Sequence, residues 1–353
     1  MSGRLQHDAT VEVSDPAEAS TVYARGFFGT PAASGLRLDR FESVYLTEMG
    51  RLEVNRGGTK PLDWSELFRK ATRVERGFAL RYIVYRDLRQ RGYVVRASPP
   101  PAEFAVLPRG GILHKTPARY WVAVFSERVP FNLAGLFELA ERAQGAKKTL
   151  LLALVDEESD LTYYRVRRPS PTGALPPTPL AAPVVGWLAH DRVTIFDPAA
   201  VEALGRGLAY GSRIGDRLEV SLLEAGYLIE TGQLILRNAA SRRVVPAGRF
   251  AAVARRLDPK YSDRLAAYRA LRERKLVVKT GFKYGAHFRA YPRNPEHAHA
   301  RYLVQAVPSF HVASWPEVAG GIRVAQGVRK EFLVASVAPE TPVRFLALER
   351  VRP

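Results

Sequence analysis

The chain contains itself twice. Ala118-Arg119-Tyr120-Trp121-Val122 returns as Ala300-Arg301-Tyr302-Leu303-Val304, and Gly145-Ala146-Lys147-Lys148 returns as Gly327-Val328-Arg329-Lys330, both 182 positions later. Tyr45-Leu46 with Gly50 and Leu52 matches Tyr227-Leu228 with Gly232 and Leu234 in the same register. A register held from end to end marks duplication of a whole unit, so whatever the first half folds into the second half should repeat. The copies part company at a few positions that carry chemistry. The second has Tyr291, His299 and Lys330 where the first has Leu107, Pro117 and Lys148.

At 353 residues the chain is too long for one ordinary core. A hydrophobic content of 46% with 10% aromatics excludes wholesale disorder. The formal net charge of +18 points to an anionic partner, of which nucleic acid is the commonest. A GC-rich coding sequence would also raise arginine over lysine, so charge alone does not decide the matter. The absence of cysteine excludes disulfides, thiol nucleophiles and thiolate metal sites. No apolar leader opens the chain and no run is long enough to cross a bilayer, which predicts a soluble, cytoplasmic protein without membrane contact.

Residues 1–20 are polar and read as a flexible tail. Phe41, Val44, Tyr45 and Met49 have helical spacing, as do Trp64, Leu67, Phe68 and Ala71 behind a capping Asp63. A helix near Phe78–Arg91 stops at Gly92 and feeds an apolar strand; its counterpart near Asp263–Arg274 feeds Leu276-Val277-Val278. Further strands are expected at 120–125 and 302–307. Residues 169–183, with six prolines, read as a semi-extended linker. The expected fold class is therefore α/β (α+β) in two tandem repeats. Each has a small α+β N-terminal domain (21–76 and 184–262) and an α/β domain with a central mixed sheet (77–168 and 263–353).

The stretch Val277-Val278-Lys279-Thr280-Gly281-Phe282-Lys283-Tyr284-Gly285-Ala286-His287-Phe288-Arg289-Ala290-Tyr291 is followed by His299-Ala-Arg-Tyr-Leu-Val and by Gly321-Ile-Arg-Val-Ala-Gln-Gly-Val-Arg-Lys330. These linked motifs, with a degenerate tandem copy before them, resemble the archaeal tRNA-splicing endonucleases, in their homodimeric class. The resemblance implies excision of introns from precursor tRNA at bulge–helix–bulge sites. A 2′-hydroxyl would attack the adjacent phosphodiester, leaving 2′,3′-cyclic phosphate and 5′-hydroxyl ends. It implies no metal and no cofactor, because the substrate supplies its own nucleophile. By the same resemblance Tyr291, His299 and Lys330 are the catalytic set, residues 77–168 a pseudo-catalytic domain, and 263–353 the catalytic one.

Elementary chemistry suits these roles unequally. An imidazole changes charge near neutral pH and can donate a proton to a leaving oxygen, and an ammonium stabilises a phosphorane. A phenol, ordinarily titrating near ~10, is a poor base unless cations converge on it; Arg289, Arg293 and Lys330 are candidates. Lys148 survives in the copy without Tyr and His, so this lysine position also has a structural claim. His297, two residues from His299, competes for the acid role. His297-x-His299 could alternatively pair on a metal, giving a metal-dependent nuclease, though no carboxylate cluster completes the shell.

The resemblance further implies two RNA-binding arginines that sandwich a bulged base, matched by Arg323 and, less directly, Arg344. It also implies that an acidic loop docks into a partner catalytic unit. Asp156, Glu157, Glu158 and Asp160 form such a loop in the first copy, whereas 337–342 in the second lacks that charge. A different class of function, a non-catalytic RNA-binding subunit awaiting a separate catalytic chain, also fits the composition.

Overall fold

The computed structural model describes residues 1–57, 60–175 and 180–353. It falls into two compact units: residues 1–129, 139–165 and 351–353 in the first, 130–138 and 166–350 in the second.

The first unit opens with a five-stranded sheet in the order Thr30–Ala32, Gly35–Leu38, Val11–Val13, Ser2–Leu5, Glu53–Asn55. Residues 2–5 and 11–13 are thus strands, and Pro16–Ala24 is a helix capped by Asp15, where a loose tail was expected. Runs of three or four residues are too short to show a period. Burial of Val11 and Val13 against neighbouring strands decides their conformation. The helices Arg40–Glu48, Trp64–Val74 and Phe78–Gln90 fall where the apolar spacing predicts them. Gly92 ends the last in a left-handed conformation (φ 85°), which any side chain would strain. Five more strands follow in the spatial order Leu161–Arg167, Thr149–Val155, Tyr120–Ser126, Phe104–Val106, Val95–Ala97.

The second unit repeats both sheets. Ser212–Ile214, Arg217–Val220, Arg192–Ile195, Val184–Ala189 and Leu234–Asn238 form the first, and Val277–Thr280, Phe288–Tyr291, Tyr302–Pro308, Glu331–Val337 and Arg344–Val351 lie side by side as the second. Registers are copied as well: Tyr302 faces Glu331 in a parallel pair as Tyr120 faces Thr149. In the antiparallel hairpins, Phe288 faces Val304 where Phe104 faces Val122, so Leu107 occupies the place of Tyr291.

One duplicated feature escaped sequence reading. Glu42, 1% exposed, accepts the Gly29 N–H at 2.9 Å and the Arg96 guanidinium at 2.7 Å. Glu224, 6% exposed, accepts the Gly211 N–H at 2.8 Å and lies 3.7 Å from the Lys279 ammonium. Both carboxylates also close a helix start by accepting the N–H of Asp39 or Ser221. The sequence signal was the Asp-x-x-Glu and Ser-x-x-Glu spacing of a capping box; its second duty, holding a cation from the following domain, had none. Burial lowers the affinity of Lys279 for its proton, and Glu224 opposes that effect. Removing one partner of such a pair strands the other charge. Glu224→Ala is expected to cost about 3–5 kcal/mol of stability, read as a fall in the urea midpoint at constant m-value. An unchanged midpoint would show that the pair contributes nothing.

Candidate active site

Three strands of the second unit end together. Tyr291 is the last residue of Phe288–Tyr291, His299 lies in the loop entering Tyr302–Pro308, and Lys330 immediately precedes Glu331–Val337. Their register brings these ends to one edge of the sheet. Ala290 faces Tyr302, and Tyr302 faces Glu331. The Arg301 N–H donates to the Ala290 carbonyl at 3.0 Å, and the Glu331 N–H donates to the Arg301 carbonyl at 2.9 Å. The outer strands of the three are two spacings apart, about 10 Å between backbones, within which long side chains can converge on one phosphate.

Each residue is held by local means. Tyr291 pairs with Val277 in the sheet and is 8% exposed. The guanidinium of Arg289 lies 5.9 Å from its ring centroid while its Nε donates to the Thr280 carbonyl at 2.8 Å. His299 is exposed. Its loop is pinned by Asn294, whose side-chain amide donates to the Arg206 carbonyl at 2.9 Å and whose carbonyl accepts the His297 N–H at 3.0 Å. Lys330 follows Arg329, a left-handed residue (φ 55°), which turns the chain from the helix Trp315–Gly327 into the strand. Its ammonium donates to the Val328 carbonyl at 3.2 Å and sits 5.8 Å from the Tyr284 ring, over which Arg289 also lies at 5.8 Å. Of the three cations considered around the phenol, Arg289 is beside Tyr291, Lys330 reaches Tyr284, and Arg293 is exposed in the following loop.

The first copy has the same edge without the chemistry. Leu107 follows the strand, Pro117 stands in the loop, and the Lys148 ammonium donates to the Ala118 carbonyl at 2.7 Å. Lys148 thus ties two strand ends together, the structural duty expected of this position.

A cavity of about 990 Å³ adjoins Tyr291. Arg192, Arg264, Lys279 and Arg289 line it together with Glu219 and Glu224, so its walls are net cationic. Among the described residues His299 and Lys330 lie outside this lining. His287, also in the wall, is committed to the fold. Its Nδ1 accepts the Ala306 N–H at 3.0 Å, and burial, helped by Arg264 and Lys260, pushes its pKa down to about 4. No group of three or more His, Asp or Glu side chains is placed to hold a metal ion among the described residues.

The two arginines stand elsewhere. Arg323 is on the exposed face of the helix Trp315–Gly327, four residues before its end and seven before Lys330. Arg344 faces Ser336 across the last strand pair, six residues or about 20 Å along from Lys330, and its guanidinium lies 4.6 Å from the Phe137 ring. The structure therefore does not bring Arg344 to the edge that holds Tyr291, His299 and Lys330.

Residues 78–163 and 261–345 match the tRNA intron endonuclease catalytic C-terminal domain, and residues 1–68 and 184–247 match the N-terminal domain of the same family. The chain belongs to the tRNA intron endonuclease family. Family membership is duplicated in the chain, with each copy carrying both domains. A protein of Methanosarcina acetivorans named tRNA-splicing endonuclease is 39% identical over 94% of both chains. Proteins of the same name from Natronomonas pharaonis and Halobacterium salinarum are 35% and 32% identical over the full length of both. Among the described residues no helix is long and apolar enough to cross a membrane.

The acidic loop is the tip of the hairpin between Thr149–Val155 and Leu161–Arg167, and all four carboxylates are exposed. They are not equivalent. The Asp156 carboxylate accepts the N–H groups of Glu158 and Asp160 at 3.0 and 2.8 Å, which shapes the loop. Glu157 pairs with Arg128 at 2.9 Å.

Proposed function

We propose that this chain is a cytoplasmic endoribonuclease that excises introns from precursor tRNA, cutting at bulge–helix–bulge sites with the catalytic domain of its second copy. The observation that carries this reading is that strand register brings the backbones of Tyr291, His299 and Lys330 to one sheet edge, whereas the corresponding edge of the first copy carries Leu107, Pro117 and Lys148. In this reading Tyr291, acting as phenolate beside the Arg289 guanidinium, takes the proton of the 2′-hydroxyl as the 2′-oxygen bonds to phosphorus. His299 donates a proton to the departing 5′-oxygen, and the fixed charge of Lys330 stabilises the phosphorane between them. The bond from phosphorus to the 5′-oxygen breaks, leaving a 2′,3′-cyclic phosphate and a 5′-hydroxyl. The cationic cavity beside Tyr291 suits the approach of a phosphate backbone.

The chain works as a homodimer in this proposal. Glu158 and Asp160 present the outward charge of the acidic loop to a basic pocket of the partner, while Asp156 and Glu157 shape and neutralise its base. A pair of arginines gripping a base at the scissile phosphate must lie within a nucleotide of the catalytic edge. Arg344 is about 20 Å along the strand from Lys330. In this proposal Arg344 of one protomer therefore serves the catalytic edge of the other, and Arg323 acts with it as the second half of the clamp.

The test is incubation of the purified protein with intron-bearing precursor tRNA in excess EDTA, with analysis of the product ends. Two cuts with cyclic phosphate ends are expected. Cutting that requires a divalent ion would favour the metal-dependent reading built on His297 and His299. No cutting by folded, RNA-binding protein in either condition would favour a subunit that needs a separate catalytic chain.

A further inference from the structure

The proline-rich segment between the copies does more than join them. Gly173 N–H donates to the Arg274 carbonyl at 2.9 Å, Ala174 N–H to the Pro292 carbonyl at 2.7 Å, and Leu175 N–H to the Lys275 carbonyl at 3.0 Å. Three successive donors are thus fastened to the residues just before the strand Val277–Thr280 and just after Tyr291. Gly173 is required by this approach, because a Cβ there would lie 2.1 Å from the Lys275 carbonyl oxygen and 2.9 Å from that of Pro292. Residues 173–175 are clamped within what was expected to be a semi-extended linker; residues 176–179 of it lie outside the described residues.

The clamp delivers one side chain. Leu175, 7% exposed, is buried in a small apolar cluster with Ala209, Val277, Tyr291 and Ala300. Each partner is informative. Val277 is the sheet partner of Tyr291, and Ala300 is the residue after His299. One proposed catalytic residue, Tyr291, and the immediate neighbour of a second, Ala300, therefore share a wall with a residue of the linker. A buried aromatic ring is held by its neighbours, and removing the isopropyl end of a leucine beside it leaves space into which the ring can move.

We infer that Leu175 is a positioning residue for catalysis: the linker, latched through Gly173 to Leu175, fixes the Tyr291 ring and the Ala300 side of the His299 loop. The inference rests on the proposed roles of Tyr291 and His299. Leu175 touches no substrate in this account and acts only through the residues it packs against.

Leu175→Ala is expected to lower the single-turnover cleavage rate about 10- to 100-fold, the effect of misplacing a reacting group by about an ångström. RNA affinity should be unchanged, and Leu175→Met, which conserves volume, should restore most of the rate. Gly173→Ala, which blocks the latch without touching the cluster, should lower the rate in the same way. Assays run well below the melting temperature of each variant separate this from unfolding. Rates equal to wild type in both alanine variants, or a loss that Leu175→Met fails to restore, overturn the inference. A crystal structure of Leu175→Ala judges it independently of activity: a displaced Tyr291 ring supports it, and an unmoved ring rejects it. Failure of the wild-type protein to cut RNA would instead sink the assignment of Tyr291 and His299, and the crystallographic arm would still report on the latch.

Discussion

His299→Ala is expected to reduce cleavage about 10²- to 10⁴-fold, the range for removing a positioned proton donor. The leaving 5′-oxygen would otherwise depart as an alkoxide, and of the histidines near this edge among the described residues only His297, in the same exposed loop, competes for the role. His287 is held neutral by burial and bonded to the Ala306 N–H, and Pro117 occupies the matching place in the first copy. Because His299 is exposed, its truncation should leave the melting temperature within a degree or two of wild type, as surface changes usually do. RNA binding should persist, since the cationic wall of the cavity is untouched. His297→Ala is the control and should cleave within a few-fold of wild type. A reversal of the two results would transfer the acid role to His297; equal activity in both would remove histidine from the reaction.

The second large effect concerns which protomer supplies the arginines. Arg323→Ala combined with Arg344→Ala should lose about 10- to 10³-fold in cleavage, given ~1–3 kcal/mol for each stacked base contact. This double variant and His299→Ala are each expected to be strongly impaired as homodimers. Co-expressed, they should recover activity. A mixed dimer has one intact catalytic edge, and the intact arginines belong to the other chain. Random assortment makes half the dimers mixed, with one working site of two, so about a quarter of wild-type cleavage is expected. An arrangement in which each chain clamps its own substrate predicts no recovery, because no chain in the mixture carries both sets. The measurement tests dimerisation and the placement of Arg344 together, and it follows from the roughly 20 Å between Arg344 and Lys330 within one chain.

Much of the candidate site was legible from the residues. Tyr291, His299 and Lys330 were grouped by the resemblance to the family, and the same chain carries a copy in which two of them are replaced. The Lys148 ammonium, bonded to the Ala118 carbonyl, bears out the warning that this position serves structure as well. Other features were not legible. The strands Ser2–Leu5 and Val11–Val13 are too short for a period to show, and the spacing around Glu42 and Glu224 signals a helix cap but nothing of the cation each one holds. Leu175 sits among prolines, where local preference predicts an extended linker and says nothing of what a leucine there will touch.

The sequence by itself determined the duplication, the α/β class, the helices with long apolar periods and the identity of the residues that differ between the copies. These are local or self-referential properties: spacing along a helix and identity at a fixed offset need no knowledge of the fold. Only the tertiary structure decided that Tyr291, His299 and Lys330 share an edge, that Glu224 faces Lys279, that Arg344 stands apart from the catalytic edge, and that Leu175 packs with Tyr291. Each of these joins residues from different elements. Strand register and the packing of side chains into one dense interior bring them together, and neither is encoded in the spacing of any single segment.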